Sequence, residues 1–435
     1  MGVDMDNSKK RLIKRILITI GILFIYQLGR SLTVPGVDIT LMKAIFNGSS
    51  VFAILNMIGG GALEQMSVFA LGVSPYITAS IVIELLSMDV IPAFTEWRKA
   101  GQKGRKKLSN ATRYLGLGLA VLQAWGIVYA FDKQSGILQD KTFFGYLFVI
   151  LALVAGTELL CWLGDQITDK GVGNGLSIII LAGIVSGLPS QFVSAFRTLT
   201  GGDGAAWIGY VKFVSYCLVY LLLILAVTIV DNSQRRIPIQ HSSASGFGGK
   251  DSSFLPFKVN SASVIPVIFA SSVMTAPQIL LSFINYGAYE KVSEALSFQK
   301  PLGLILYAVL TFFFTFFYTD LQMDPSEITD NLKKGESFIP GVRPGRETRE
   351  FLASTLKRIT LFGATGLTIL AVIPYLLPMI IPSLPSSLGL GGTSVILIVG
   401  ISLETVKMMS SAATEDKYKY ASLLHNNPNY RKSIM

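Results

Sequence analysis

The sequence has few charged residues for its length. Of its 435 residues, 15% are Asp, Glu, Lys or Arg, against roughly 25% in a typical soluble globular protein. Cysteine and histidine are also scarce, with two of each. Cys161 and Cys217 lie inside apolar blocks, whereas His241 and His425 lie far apart in polar segments. This composition excludes a disulfide framework and a metal site built from His and Cys.

The sequence also lacks the short motifs of common enzyme classes. No phosphate-binding G-x-x-x-x-G-K-S/T, zinc-protease H-E-x-x-H or nucleophile-elbow G-x-S-x-G pattern is present. The run Gly171-Val-Gly-Asn-Gly175 has no preceding strand, which a dinucleotide-binding fingerprint needs, so it predicts a turn before the next apolar block. We therefore expect that the protein is not an enzyme and binds no cofactor. The energy for any transport would then come from a source outside this chain.

What the sequence has instead is long apolar blocks. Hydrophobic residues make up 51% of the chain, and most blocks have the length of about 17 to 25 residues that crosses a lipid bilayer. The sequence therefore predicts an all-α membrane protein with ten transmembrane helices. The predicted spans are 16–33, 68–88, 114–131, 143–164, 175–189, 207–230, 261–284, 301–321, 359–380 and 393–407.

The basic residues concentrate on one side of the predicted spans. An even number of spans places both termini on the same side, and that side carries 29 of the 37 Lys and Arg residues. The positive-inside rule then predicts that both termini are cytosolic. The cytosolic parts would be the N-terminus 1–15, the loops 95–113, 165–174, 231–260 and 322–358, and the C-terminal tail 408–435, the tail being counted from residue 405 for its basic residues.

The connection between the first two spans is predicted to re-enter the membrane. Its apolar run Val51–Ile58 is too short to cross, and the glycines at 59–61 interrupt it. Irregular backbone at membrane depth is tolerated only when it is buried in protein or lines a cavity. We interpret 48–66 as a short re-entrant element, with an interfacial loop on the external surface as the alternative.

Two proline-containing spans indicate an internal repeat. Pro75-Tyr-Ile-Thr-Ala-Ser80 and Pro266-Val-Ile-Phe-Ala-Ser271 share Pro, Ile, Ala and Ser at the same offsets. Because the second segment lies five spans after the first, the repeat predicts two inverted five-span halves, 16–190 and 207–407. Both segments are rich in small polar residues that allow close but weak helix contacts, although such faces also occur in ordinary bundle packing.

A secondary transporter with broken helices is the alternative from another functional class. Ion-coupled transport normally requires several buried ionisable groups. Only Glu84, Glu158 and Glu404 lie well inside apolar blocks, without an obvious cationic partner in the sequence. This pattern favours a passive pathway over a coupled one.

A series of longer motifs resembles the SecY family, the central subunit of the bacterial protein-conducting channel, from about Arg11 to Ser411. The motifs are Thr33-Val-Pro-Gly-Val37, Gly59-Gly-Gly-Ala62, Phe69-Ala-Leu-Gly-Val-Ser-Pro-Tyr-Ile-Thr-Ala-Ser80, Gly164-Asp-Gln-Ile-Thr-Asp-Lys-Gly-Val-Gly-Asn-Gly175, Leu255-Pro-Phe-Lys-Val-Asn260, Asp330-Asn-Leu-Lys-Lys334 and Ile339-Pro-Gly-Val-Arg-Pro-Gly345. The resemblance implies a clamshell of two inverted halves that moves secretory polypeptides across the bacterial cytoplasmic membrane and inserts membrane proteins laterally.

The resemblance also implies roles for particular residues. The family's pore ring falls on Val73, Ile77, Leu176, Ile180, Ile268 and Leu397. The plug corresponds to 48–66, with Phe52, Leu55, Asn56, Gly59, Gly60 and Gly61. The lateral gate corresponds to Ser74, Thr78, Ser80, Ile81, Ser271, Ser272 and Thr275. The surface for a motor ATPase or a ribosome corresponds to Arg235, Arg236, Lys250, Lys333, Lys334, Arg343 and Arg346.

The implied partners are small SecE-type and SecG-type membrane subunits, a SecA-type motor ATPase, the ribosome, signal sequences and nascent polypeptides, and the lipid bilayer. One segment departs from the family pattern. Residues 242–249 are rich in Gly and Ser, and Lys250 is the only basic residue near the tip of that loop. The contribution of this loop to docking is therefore expected to rest on Arg235 and Arg236 at its root.

Overall fold

The computed structural model describes residues 2–46, 61–87, 90–201, 206–241, 253–284, 292, 295–298, 300–380 and 394–411. Helices dominate this part of the chain. In chain order they are α1 (Gly2–Ser31), α2 (Ile39–Phe46), α3 (Ser74–Leu86), α4 (Pro92–Lys99), α5 (Gly101–Ser135), α6 (Phe143–Lys170), α7 (Gly175–Thr200), α8 (Ala206–Asn232), α9 (Ile265–Ile284), α10 (Pro301–Gln322), α11 (Pro325–Lys334), α12 (Arg346–Ile380) and α13 (Ser394–Ser411).

Each predicted span overlaps one of these helices. Within the described ranges, eight helices are long and apolar enough to cross a membrane, namely α1, α5, α6, α7, α8, α10, α12 and α13. The other two predicted spans contain shorter apolar helices, Ser74–Leu86 in α3 and Ile265–Met274 in α9. The chain is therefore a multi-pass membrane protein.

The chain divides into two compact units. The first contains the residues up to Pro189, a short piece at Ser282–Ile284 and the residues from Ile401 onward, and the second contains the remainder, through Gly400. The boundary falls inside α7 beside Pro189. Proline inside a helix removes a backbone hydrogen bond and kinks or breaks the helix. A boundary between two units is therefore expected at such a position in the chain.

In the first unit, close backbone approach fixes the chain that leads into α3. A Cβ built on Gly156 of α6 would lie only 1.9 Å from the Val68 carbonyl oxygen. The amide of Val34 donates a hydrogen bond to the Met66 carbonyl (3.0 Å). Helix α3 then packs along α5, where a Cβ on Gly116 would lie 3.5 Å from Tyr76 Cα. These contacts fix the position at which α3 begins.

In the second unit, the loops predicted to be cytosolic form a small sheet that the sequence analysis did not predict. Strand β1 (Gln234–His241) pairs with β2 (Ser253–Lys258) and with β3 (Ser337–Phe338), all antiparallel, in the order β2-β1-β3. The sheet packs against the start of α12 through a core of six buried side chains: Ile237, Phe257, Ile339, Leu352, Leu356 and Ile359. One folded module therefore unites the loops 231–260 and 322–358.

Candidate pore, gate and docking surface

The two proline repeats occupy equivalent places at the start of a helix. Helix α3 begins at Ser74 and α9 begins at Ile265, each one residue before the repeat proline. Proline suits this position because the first helical amides have no partner within the helix. The Ile77 amide donates to the Val73 carbonyl (3.0 Å), and the Ile268 amide donates to the Val264 carbonyl (3.4 Å).

This equivalence identifies Val264 as a residue that the sequence analysis missed. Val264 stands in the second repeat where Val73 stands in the first, and both side chains are buried. A Cβ on Gly400 would lie 2.2 Å from Val264 Cγ1, so Val264 packs directly on the backbone of α13. Aligning the repeat two residues upstream of its proline would have revealed the pair.

The six pore-ring candidates lie at the ends of four apolar helices. Val73, Ile77, Leu176 and Ile180 belong to the first unit, and Ile268 and Leu397 belong to the second. Of these, Ile77 and Leu176 are partly buried and the other four are buried. Leu176 contacts α6 closely, since a Cβ on Gly164 would lie 2.7 Å from Leu176 Cδ2.

Helices α9 and α13 are interior elements where they carry these candidates. The run Pro266–Ser271 is buried at every residue, as is the run Ser394–Leu397. Helix α10, in contrast, exposes one apolar face with Ile305 at 63%, Val309 at 59% and Phe313 at 58%. An exposed apolar face suits lipid, so α10 has a lipid-facing surface that these parts of α9 and α13 lack.

Two of the gate candidates make hydrogen bonds within their own helices. The Thr78 hydroxyl donates to the Ser74 carbonyl (3.0 Å), and the Ser271 hydroxyl donates to the Ile268 carbonyl (2.8 Å). Such local bonds satisfy a hydroxyl without a neighbouring helix. Moving either helix away from its neighbours would leave both hydroxyls satisfied. Ser80 and Ser272 are partly buried and Ile81 is buried, while the side chain of Thr275 lies outside the described residues.

Most of the predicted plug lies outside the described residues, including Phe52, Leu55, Asn56, Gly59 and Gly60. The described part begins at Gly61, whose positive φ of 87° is a conformation that favours glycine. A Cβ at this position would lie 3.0 Å from Arg30 Nη2, and Arg30 also donates a hydrogen bond to the Ser186 hydroxyl of α7. Ala62 and Leu63, which follow Gly61, are fully buried.

The predicted docking residues that the structure describes lie on the cytosolic module. The arginines of β1, Arg235 and Arg236, are exposed, and the Arg236 guanidinium lies over the Phe254 ring at 4.7 Å from its centre. Lys333 and Lys334 are exposed in the last turn of α11. Asp324 caps the start of that helix, because its carboxylate accepts a hydrogen bond from the Ser326 amide at 2.8 Å. Lys250 lies outside the described residues.

Arg343 combines a fixed backbone with an exposed side chain. The flanking glycines Gly341 and Gly345 have φ of 83° and 104°, which shapes the turn. The buried Thr348 hydroxyl donates to the Arg343 carbonyl at 2.8 Å. The Arg343 side chain is 87% exposed, and its nearest acidic group is Glu347 at 3.8 Å. Arg346, at 91% exposed, pairs with Glu350 at 2.9 Å.

Solved structures define the fold. The fold is that of protein-conducting channels: one such channel covers 93% of both chains with a TM-score of 0.68 at 18% identity. A SecY channel studied for how its plug domain stabilises the closed state has a TM-score of 0.67 with the same coverage. Sec61 from the canine ribosome-channel complex has a TM-score of 0.65. These matches confirm the predicted fold class.

Sequence comparisons define the family. The SecY family model matches residues 67–406. The protein translocase subunit SecY of Bacillus licheniformis is 40% identical over 413 residues, which cover 93% of this chain and 95% of the relative. The Staphylococcus epidermidis subunit is 37% identical over 417 residues, covering 95% and 97%. The chain belongs to the SecY family, whose members are translocation channels rather than enzymes.

Proposed function

We propose that this chain is a passive channel of the bacterial cytoplasmic membrane through which secretory polypeptides cross and from which apolar segments leave sideways into lipid. Val73, Ile77, Leu176, Ile180, Ile268 and Leu397 form the constriction. The facing surfaces of α3 and α9 form the lateral gate, and 48–66 forms the external plug. Both termini lie in the cytosol.

The repeat of the helix starts is the observation that best supports the proposal. Ile77 and Ile268 follow their prolines by the same two residues and make the same first-turn hydrogen bond. Two aliphatic residues are thereby supplied by equivalent elements of two inverted halves, as a pathway along a pseudo-two-fold axis requires. Aliphatic side chains offer water and ions no hydrogen-bond partner, so such a constriction closes by dewetting while it can deform around a passing chain.

The local hydroxyl bonds support the gate. Thr78 and Ser271 keep their hydrogen bonds when their helices separate, so opening this seam exposes no unsatisfied hydroxyl at either position. A segment in the open seam then partitions by its composition. A central Leu or Ile favours lipid by about 0.3 to 0.6 kcal/mol, whereas Lys or Asp opposes it by about 2.5 to 3.5 kcal/mol.

The cytosolic module supports docking of partners. Exposed cations on a rigid scaffold, with Arg343 at a turn of fixed backbone, suit acidic surfaces of a motor ATPase and phosphates of ribosomal RNA. Small SecE-type and SecG-type subunits would cover membrane-exposed helix faces. Signal sequences and nascent polypeptides are the substrates.

Reconstitution into lipid vesicles tests the function. The purified channel with its small subunits should protect a secretory precursor from external protease only when a motor ATPase and ATP are present, because no source of energy lies in the channel. The rival function is secondary transport of a small solute. Solute uptake driven by an ion gradient without a motor, together with no protection of the precursor, would support that rival instead.

A further inference from the structure

The segment that joins strand β2 to helix α9 is held by a chain of hydrogen bonds. The Val259 amide donates to the Ser233 carbonyl at 2.9 Å. The Asn260 side-chain amide donates both to the Asp231 carboxylate and to the Ser263 carbonyl, each at 3.1 Å. Asp231 and Asn260 are only 5% and 3% exposed. A single buried amide group therefore links the end of α8 to the turn that begins α9.

The same segment is tightly packed at both of its ends. A Cβ on Gly363 of α12 would lie 2.0 Å from the Val259 carbonyl oxygen, so this peptide rests directly on the α12 backbone. At the other end, the Val264 side chain lies against the backbone of Gly400 in α13, where a Cβ would be 2.2 Å from Val264 Cγ1. A displacement of the sheet module therefore cannot be absorbed by loose packing between Val259 and Val264.

Two unfavourable features persist at this junction. Ser263 has φ of 54°, a left-handed conformation that is uncommon outside glycine. The side-chain amide oxygen of Asn260, Oδ1, is buried without a hydrogen-bond partner among the described residues. Both features cost free energy and persist only where the surroundings enforce them, which is typical of functional positions.

We propose that Asn260 is a positioning residue that transmits displacement of the cytosolic module to the first turn of α9. Its two hydrogen bonds connect Asp231 to the Ser263 carbonyl, and Val264, the next residue, accepts the first-turn bond from the Ile268 amide. That last hydrogen bond, at 3.4 Å, is longer than the two bonds of Asn260 at 3.1 Å. The first turn of α9 is therefore the least tightly hydrogen-bonded part of this series. The inference rests on the proposed function, because the displacement comes from a motor ATPase docked on the module.

Two variants separate this role from simple folding. Asn260→Ala removes both side-chain bonds. The exchanged pair Asp231→Asn with Asn260→Asp keeps a bond between positions 231 and 260, because the new amide donates to the new carboxylate, but it leaves the Ser263 carbonyl without that donor. Ser261→Ala is the matched control, since it removes one hydrogen bond in the same turn, from the Ser261 hydroxyl to the Lys258 carbonyl at 3.0 Å.

The measurement is backbone hydrogen exchange of Val267–Met274 in the full channel in lipid nanodiscs, with and without the motor ATPase. In the wild type and Ser261→Ala, motor binding should change the exchange rate of this segment. In Asn260→Ala and in the exchanged pair, that response should fall by about 2- to 30-fold, the range of typical coupling effects, while motor affinity stays unchanged.

The outcomes distinguish the two proposals. If the exchanged pair is as thermally stable as the wild type and responds to the motor as fully as the wild type does, the transmitting role of Asn260 is wrong. If Asn260→Ala does not fold, the exchanged pair decides the question alone. A motor ATPase that fails to bind even the wild type contradicts the proposed function, and with it any transmission from that partner.

Discussion

Single residues have two contrasting roles in this account: aliphatic side chains are proposed to close a pathway, and glycines allow backbones to touch. The aliphatic residues at Val73, Ile180, Ile268 and Leu397 are all buried, as core residues also are. Burial alone therefore does not separate a pore ring from ordinary packing. The distinction has to come from what shortening these side chains does to conductance and to stability.

Replacing two or more of Val73, Ile77, Ile180, Ile268 and Leu397 with Gly or Ser should make the resting channel leak ions. Shorter side chains widen the constriction, and a hydroxyl gives water a partner, so the dewetted barrier falls. Single-channel recording measures the leak. One substitution should have a smaller effect, because the remaining ring residues and the plug still close the pathway.

A thermal unfolding curve of the same variants is the control. If these residues were only core, each large-to-small change would lower the free energy of unfolding by about 2 to 5 kcal/mol. Conductance would then remain at background. Destabilised but ion-tight channels would remove the ring from the mechanism.

Arg343→Glu should slow motor-driven export of a precursor at equal channel levels while the channel still folds and inserts. The side chain is 87% exposed and its pairing with Glu347 is a surface contact, which contributes about 0 to 1 kcal/mol to stability. Lys141→Glu is the matched control, an equal charge reversal at an exposed position in the connection between α5 and α6. Unchanged motor affinity and export rate in Arg343→Glu would contradict the docking assignment.

Gly363→Ala should destabilise the channel, whereas Gly366→Ala on the same helix should not. At position 363 a Cβ would lie 2.0 Å from the Val259 carbonyl oxygen, and relieving that clash costs about 1 to 3 kcal/mol. At position 366 the nearest atom would be 3.7 Å away, an ordinary contact, and alanine favours a helix over glycine by about 0.5 to 1 kcal/mol. Equal unfolding temperatures for the two variants would contradict this packing.

Among the elements, α3 and α9 stand apart. Helix α3, with 13 residues, is shorter than the about 20 residues of a full membrane crossing. Both helices follow turns that are fixed by buried contacts, and both begin at a proline repeat. A helix with a fixed start can tilt or shift only beyond its first turn.

Cysteine pairs introduced along α3 and α9, after replacement of Cys161 and Cys217, should form a disulfide that blocks insertion of signal sequences. Reduction should restore insertion, because the block comes only from the covalent link across the gate. Cysteine pairs between α3 and α5 are the control, since these helices pack together within one unit. A channel cross-linked between α3 and α9 that still inserts signal sequences normally would show that the seam does not move.

At the scale of the whole molecule, the membrane part followed from the sequence because lipid satisfies no backbone hydrogen bonds. Every crossing must then be helical and long enough, which makes apolar block length a reliable signal. The turn at Gly171–Gly175 was likewise a local feature and is confirmed.

The cytosolic sheet could not be predicted in the same way, because its stabilising contacts are distant in sequence. Strand β1 pairs with β3 through Gln240 and Phe338, almost a hundred residues apart. Its apolar face, with Ile237, is completed by Leu352 and Leu356 of α12. The apolar alternation in β1 and β2 is short and is separated by a Gly/Ser-rich run, so the sequence showed only a loop.

The most direct test of the account asks which residues a polypeptide touches while it crosses. A precursor with one cysteine at its midpoint is stalled in channels that carry single cysteines, after Cys161 and Cys217 are replaced. Test positions are Ile180 and Ile268, one in each unit, and controls are the exposed apolar residues Leu151 and Val309. We expect disulfides from the stalled chain to both test positions and to neither control. Disulfides to the controls, with none to Ile180 or Ile268, would contradict a pathway through the ring.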